Sequence, residues 1–203
     1  GTHVHATSHP VPSHCGTEVS KERVDNLRTQ FYLDLALSEL LYIDDEGYQS
    51  RACRYLYRQL PQIAVEKRLV KYLTHPDANI RAHVCLGLSF PVNSACVSLD
   101  QPMPLWDSLT EPATLSPDTL PPLLNMLVAE TDSYVLFNAI GTLKAQNYTG
   151  KLSGMAGEVK KVLLNLLPRL EGQLIEESKQ LIINLSLPTW KQKAVSEPNK
   201  DFL

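Results

Sequence analysis

The sequence lacks the features that mark a membrane-spanning protein or one held together by disulfides or zinc. No stretch approaches the roughly 20 uninterrupted apolar residues that cross a bilayer. The four cysteines form no CxxC pair, which excludes a zinc ribbon and a dithiol redox motif. Cys53 and Cys85 fall on the apolar faces of predicted helices, so we expect buried, reduced thiols in a cytoplasmic protein. A secreted or periplasmic protein is the alternative; if the protein is secreted, Asn147 of the Asn-Tyr-Thr triplet would be a glycosylation acceptor.

The motifs of the common catalytic sites are absent as well. The chain has no HExxH and no GxSxG, and the glycines at 150, 154 and 157 are not followed by the Lys-Ser/Thr ending of a phosphate-binding loop. Potential metal donors occur near the N-terminus, but their spacing follows no known closed site. These donors are His3, His5, His9, His14 and Cys15. We therefore expect a non-catalytic protein with no cofactor and no metal.

What the sequence does contain is a segment that occurs twice. Residues 77–88 and 132–143 share an Asp, a β-branched residue three positions later, a small residue four positions after that, and then a Gly and a Leu. An acidic cap followed by apolar positions at i, i+4 and i+8 predicts one amphipathic helix of a helical-hairpin repeat. Weaker copies begin at Asp45 and Glu171. The four starting points lie 32, 55 and 39 residues apart, and the long middle interval predicts an insertion.

This pattern resembles the second helices of HEAT-like repeats, which open with Asp, a β-branched residue and Arg. The resemblance implies an all-α, right-handed α-solenoid of about four helical hairpins, similar to armadillo-type repeats, acting as a protein-binding scaffold. It also implies that Arg81 ties neighbouring repeats together through Asp77 or Asp132, although Leu136 replaces the arginine in the second copy. The implied structural repeat positions are Asp77, Arg81, Gly87, Asp132 and Gly141. HEAT-like hydroxylases hold iron with His-Glu pairs, and this chain has no His-Glu dipeptide.

Apolar spacing and helix-breaking residues predict the layout of the chain. We expect an extended leader at 1–16, one repeat domain at 17–187 and a polar tail at 188–203. Inside the domain, residues 91–117 lose helical periodicity, carry prolines at 91, 102, 104 and 112, and predict a loop insertion. The predicted helices cover residues 20–43, 48–59, 61–74, 77–90, 118–130, 132–146, 155–168 and 171–186.

The first predicted helix has an unusually wide apolar stripe. One row is formed by Val24, Leu27, Phe31 and Leu35, and a second set widens it. The second set consists of Leu33, Leu37, Leu40 and Leu41. We expect a stripe this wide to be buried against more than one neighbour.

Charge is segregated along the chain. Residues 1–50 carry three basic and eight acidic side chains, and residues 51–81 carry seven basic and two acidic ones. Residues 82–143 contain no Lys or Arg and six acids, whereas 144–203 carry nine basic and six acidic residues. In a stack of repeats, consecutive segments become consecutive layers, so we expect one basic layer between two acidic ones.

The basic layer is the predicted partner-binding site. Arg51, Arg54 and Arg58 share one helix face by their spacing, and Lys67 and Lys71 share another. Tyr55 and other tyrosines are interleaved with these cations. Trp106, in the predicted loop, either covers an edge of the stack or serves as an exposed anchor for a partner. The predicted partner-binding set is therefore Arg51, Arg54, Tyr55, Arg58, Lys67, Lys71 and Trp106.

These residues indicate a scaffold or adaptor that binds another protein through an acidic or mixed acidic-apolar segment. The alternative for the arginines is that they are solvated or paired with Asp44, Asp45 and Glu46. Nucleic acid is disfavoured as a ligand because the sequence pI is about 6.1, whereas nucleic-acid binders are strongly basic. Two other functions stay open at this point. One is a bacterial effector or immunity-type protein that uses the same surface against one target, and the other is a repeat-based enzyme or a nucleic-acid-binding or processing repeat protein.

Overall fold

The computed structural model describes residues 20–97, 115–148 and 152–187, and this part of the chain is helical without strands. The prediction of an all-α fold is confirmed. The eight α-helices of the described residues are α1 (Lys21–Tyr42), α2 (Glu46–Gln59), α3 (Gln62–Leu69), α4 (Ala78–Val97), α5 (Leu120–Ala129), α6 (Ser133–Tyr148), α7 (Ala156–Leu166) and α8 (Gln173–Ser186). Short 3₁₀ turns follow α3 and α7 and precede α7.

Short polar side chains fix where several helices begin. Asp45 Oδ1 accepts a hydrogen bond from the backbone N–H of Tyr48 at 3.0 Å, and Asp132 Oδ1 accepts from Val135 at 3.1 Å. Asp77 Oδ1 accepts from the N–H of Asn79 in the same way. Each bond satisfies a donor that the first helical turn leaves without an intrahelical partner. The predicted starts at these three aspartates are therefore confirmed.

The fourth predicted copy begins differently. The residue before α8 is Gly172, with a φ of 54°, and it makes no side-chain capping bond. This left-handed conformation suits glycine because it has no Cβ. Glu171 therefore does not cap α8 as the aspartates cap their helices.

α4 is the central element of the packing. It contacts α1, α2, α3 and α6, while α6 also packs against α8. α7 contacts both α5 and α8. The core that these helices enclose consists mainly of leucines, and the largest fully buried ones include Leu40, Leu56, Leu69, Leu88, Leu123, Leu127, Leu143, Leu163 and Leu166.

The predicted start of the loop insertion at residue 91 is wrong, because α4 continues through Pro91 to Val97. Proline has no N–H to donate to the carbonyl four residues earlier, which belongs to Gly87. In this fold the hydroxyl of Tyr57 donates to that carbonyl at 2.9 Å, so the acceptor is satisfied from another helix. Residues 98–114, including Trp106, lie outside the described part of the chain, as do the predicted leader and tail.

The predicted burial of the first apolar row is also wrong. Leu33, Ala36 and Leu40 face the core, whereas Val24, Leu27, Phe31 and Leu35 remain 42, 62, 63 and 44 % exposed. Apolar spacing marks both faces of α1, but only one of them meets the other helices. All residues from Lys21 to Tyr32 are exposed, so the first half of α1 makes no buried contact.

The prediction that Cys53 and Cys85 are buried thiols is confirmed. Both are fully buried, and neither is paired in a disulfide. Burial raises the pKa of each thiol to about 12 because the thiolate would lose its hydration.

Candidate functional site

The exposed side of α2 carries the three predicted arginines. Arg51, Arg54 and Arg58 are exposed, while Cys53 and Leu56 on the opposite side of the helix are fully buried. This division follows from the helical period, since residues three, four and seven apart share a face. The structure therefore places the three arginines on one solvent-facing surface.

Arg51 is the one arginine of this face that has an acidic partner among the described residues. Its guanidinium donates to Glu39 Oε1 of α1 at 3.2 Å, and its Cζ lies 4.5 Å from the centroid of the Tyr48 ring. The side chain is still 63 % exposed, so the ion pair is screened by water. Arg51 thus helps to hold α2 against α1 and is only partly available to a partner.

The other four predicted cations make no side-chain contact with an acid within the described ranges. Arg54 and Arg58 on α2, Lys67 on α3 and Lys71 in the following 3₁₀ turn are all exposed. Two acids of the nearby α1–α2 turn make other contacts. Asp45 caps α2, and Asp44 Oδ1 lies 3.5 Å from Nε2 of the buried His83.

The acid next to these cations, Glu66, is turned inward. It is 1 % exposed, and Oε2 accepts hydrogen bonds from Ser116 N at 2.9 Å and Thr119 Oγ at 2.8 Å. Its carboxylate therefore holds the residues that lead into α5, and it places no negative charge at the surface. As a result, Glu66 does not offset the positive charge on the exposed faces of α2 and α3.

Tyr55 does not project from this surface like the cations. It is half-buried and packs against the core, so only part of its side chain is available to a partner. More exposed apolar groups lie on the same two helices: Tyr48 is 43 % and Ile63 is 46 % exposed. We call the group Arg54, Arg58, Ile63, Lys67 and Lys71 the basic surface.

Arg81 forms an ion pair with a different residue from the two expected. Its Nε and Nη2 donate to the two carboxylate oxygens of Glu130 at 2.8 and 3.0 Å. Its Nη1 donates to the carbonyls of His75 and Pro76. The expected pairing with Asp77 or Asp132 is therefore corrected to Glu130, whose two oxygens accept from the guanidinium, while the two aspartates cap their helices.

The environment of Glu130 stabilises its charged form. Burial alone would raise the pKa of this carboxyl. The carboxylate, however, accepts hydrogen bonds from Arg81 and from the N–H groups of Asp132 and Thr131, and it lies next to the positive charge of Arg81. Together these interactions outweigh burial and lower the pKa below its ordinary value of 4.5. The same hydrogen bond is the main reason that the pKa of Arg81 is raised. The pair is therefore ionised at neutral pH and has a structural role.

A second arginine, which sequence reasoning missed, holds the same turn. Arg169 lies after α7, and its guanidinium donates to the carbonyls of Glu130 at 2.9 Å and Val128 at 3.0 Å. Arg81 and Arg169 thus connect the α3–α4 and α7–α8 turns to the α5–α6 turn. No sequence signal marked Arg169, because it precedes the weak copy that begins at Glu171.

An open groove of about 620 Å³ lies beside the ion pair. The end of α3, the His75–Pro76 turn and α5 form its walls, with Val70, Leu73 and Met126 among the lining residues. The sequence did not predict this groove, since its walls come from segments that only the fold brings together. Arg81 and Glu130, which also line it, already have hydrogen-bond partners for their charged groups.

The two glycines of the repeated segments occupy different surroundings. A Cβ on Gly87 would lie 2.9 Å from Leu40 Cδ2 and 3.0 Å from Leu69 Cδ1, whereas nothing lies within 4 Å of a Cβ on Gly141. Gly87 is ten residues after Asp77 but Gly141 is nine after Asp132, and one residue rotates a helix face by about 100°. The two positions are therefore not structurally equivalent.

Within the described ranges, no three His, Cys, Asp or Glu side chains lie close enough to share a metal ion. The histidine-bearing N-terminal segment falls outside those ranges. None of the described helices is both long enough and apolar enough to cross a membrane.

Comparison with known proteins finds no family model, no curated protein and no solved structure that matches this chain.

Proposed function

We propose that this protein is an interaction module that binds an acidic or mixed acidic-apolar segment of another protein on the basic surface. The observation that carries the proposal is the exposure of Arg54, Arg58, Lys67 and Lys71 without an acidic partner in the described part of the chain. The paired cations Arg51, Arg81 and Lys144 differ from them in this respect. An incoming carboxylate would therefore not need to displace an existing ion pair.

The neighbouring apolar groups favour a protein ligand over a nucleic acid. Tyr48 and Ile63 are exposed near the cations in sequence and can contact apolar side chains that alternate with acidic ones. The whole chain carries a formal charge of −3, which would repel a polyanion outside this patch. Electrostatic complementarity would guide the partner, and apolar contact would add affinity.

We further propose that the helices form a HEAT-like stack, in which the basic surface belongs to the first repeats. In support, the alternate helices α4, α6 and α8 pack in series, and α5 packs on α7. Arg81 and Arg169 connect successive interhelical turns, as expected for a repeat array. A stack of this kind presents extended surfaces suited to partner segments.

The test uses a fluorescent peptide of alternating acidic and apolar residues, measured by anisotropy at physiological ionic strength. Replacing Arg54 and Arg58 by Glu, or Lys67 and Lys71 by Glu, should weaken peptide binding by roughly tenfold or more, since each lost exposed pair contributes up to about 1 kcal/mol and each reversal adds repulsion. Circular dichroism should show an unchanged helical fold, because these side chains are exposed.

A matched control reverses two exposed lysines on α7 and α8, Lys161→Glu with Lys179→Glu, which changes the net charge equally. This control should bind the peptide as the wild type does. Equal weakening in the control, or equal binding of a peptide with Gln and Asn in place of its acids, would contradict the proposal. Tighter binding of single-stranded RNA than of the acidic peptide would replace it with a nucleic-acid function.

A further inference from the structure

The outward face of α1 carries an apolar row along almost the whole helix. Val24, Phe31, Leu35 and Tyr42 are separated by seven, four and seven positions, which places them within about 40° of one another around the helix. Leu27 lies at one side of this line. The exposed fractions of Val24, Leu27, Phe31, Leu35 and Tyr42 are 42, 62, 63, 44 and 61 %. We call these five residues the outer row.

Neither side of the first half of α1 is buried against another helix of the described part of the chain. Every residue from Lys21 to Tyr32 is exposed, and Leu33 is the first buried one. A helix of roughly 12 residues is only marginally stable in water without packing of an apolar face. A second surface laid against the outer row would supply that packing.

We propose that the outer row binds the outer row of a second copy of this chain, with the two α1 helices antiparallel. A two-fold axis at the level of Leu33 would place Val24 opposite Tyr42 and Phe31 opposite Leu35. A larger side chain would then meet a smaller one at each position. The row is thus complementary to its own reversed copy, as an isologous dimer requires.

The flanking charges favour the same arrangement. Arg28 and Glu39 lie on one flank of the outer row, within about 20° of each other around the helix. The proposed axis would bring Arg28 of one copy to the level of residue 38 of the other, next to Glu39. Glu39 Oε1 accepts from Arg51, and Oε2 has no partner in the described part of the chain. A parallel dimer would instead place the two Arg28 side chains on opposite flanks, eleven positions away from Glu39 along the helix.

The area available sets the strength of the dimer. If each side chain offers about 200 Å², the exposed fractions correspond to roughly 500 Å² of apolar surface per copy. Two copies would bury on the order of 1,000 Å², the lower limit for a specific interface. The dimer should therefore be weak and concentration-dependent. It does not involve the basic surface on α2 and α3.

The first experiment is sedimentation equilibrium of the full chain from about 1 to 200 µM, a range that includes the dissociation constants expected for a weak dimer. The average mass should rise from 22.7 kDa towards twice that value. Phe31→Asp should keep the protein monomeric throughout. Phe137→Asp, at a phenylalanine that is 58 % exposed on α6, should leave the mass curve unchanged. A monomer at every concentration, or equal effects of the two variants, would overturn the proposal.

The second experiment tests the orientation. Two proteins are prepared with Cys15 and Cys96 replaced by Ser, one with Val24→Cys and one with Tyr42→Cys, then mixed and oxidised mildly. The antiparallel dimer predicts mixed 24–42 disulfides, because the two positions lie about 27 Å apart in one chain but meet between chains. Preferential 24–24 and 42–42 disulfides, or dimers with no site preference, would contradict the antiparallel pairing. Peptide mapping by mass spectrometry distinguishes the products.

Discussion

At the scale of single residues, Gly87 and Gly141 show how a repeated sequence can place similar residues in different surroundings. Gly87 lies where α4 approaches Leu40 of α1 and Leu69 of α3, and both leucines are fully buried. Gly141 has open space where a side chain would stand. The sequence predicted two equivalent repeat positions. The glycines differ by one residue in their distance from the capping aspartate, and the consequence of this difference depends on which helices pack against each glycine.

These two glycines form a matched pair for a stability measurement. Gly141→Ala should raise the free energy of unfolding by about 0.5–1 kcal/mol, because alanine favours the helical state. Gly87→Ala should lower it by about 1–2 kcal/mol, because overpacking of the two leucines outweighs the same gain. Urea unfolding followed by circular dichroism measures both. Similar changes in the two variants would show that the contact at Gly87 adjusts without cost.

At the scale of helices, most limits could be predicted because they depend on local chemistry. Aspartate caps and the prolines near turns mark where helices begin and end, whatever surrounds them. The end of α4 could not be predicted, since the donor that compensates for Pro91 comes from Tyr57, 30 residues before its acceptor. The exposure of the outer row could not be predicted either, because periodicity does not say which apolar face is covered.

The role of Tyr57 in α4 can be tested by a double-mutant cycle. Tyr57→Phe should lower the free energy of unfolding by about 1–2 kcal/mol, because the Gly87 carbonyl then has no donor. In a Pro91→Ala background the same substitution should lower the free energy of unfolding by less, since the alanine can donate its own N–H to that carbonyl. Urea midpoints of the four proteins give the coupling energy. Strictly additive effects would mean that the hydroxyl does not replace the missing amide donor.

At the scale of the whole molecule, the basic surface was only partly predictable. The cations could be predicted from the sequence, since their spacing places the arginines on one helix face and the lysines on another. The inward rotation of Glu66 and the pairing of Arg51 with Glu39 depend on α5 and α1, so local spacing could not indicate them. Arg81 does connect two interhelical turns, but its acid partner follows from how those turns meet.

The ion pair of Arg81 with Glu130 should make stability depend on pH. The pKa of Glu130 is lowered by folding, so its contribution is present above the ordinary value of 4.5 and is lost as the pH falls towards the folded pKa. Arg81→Gln should therefore lower the free energy of unfolding at pH 7 by about 2–4 kcal/mol, because it leaves a buried carboxylate without its cation. The difference from the wild type should shrink at about pH 3 as the carboxyl of the unfolded chain becomes protonated.

Arg51→Gln is the matched control for this measurement. The arginine is 63 % exposed and its ion pair with Glu39 is screened by water, so the change should cost less than about 0.5–1 kcal/mol at either pH. Urea unfolding at both pH values provides the comparison. An Arg81→Gln effect that is small, or that grows in acid, would show that the pair does not stabilise the fold through the charged carboxylate.

The turn between α5 and α6 also affects how the molecule comes apart. In an array joined only by contacts between neighbours, hairpins at the ends can fray one at a time. Here Arg81 and Arg169 both donate to the short turn around Glu130. Separation of the turn before α4 or the turn before α8 would remove donors from the oxygens of the α5–α6 turn, so the opening of one turn should weaken the next. We therefore expect the three turns to open together rather than singly.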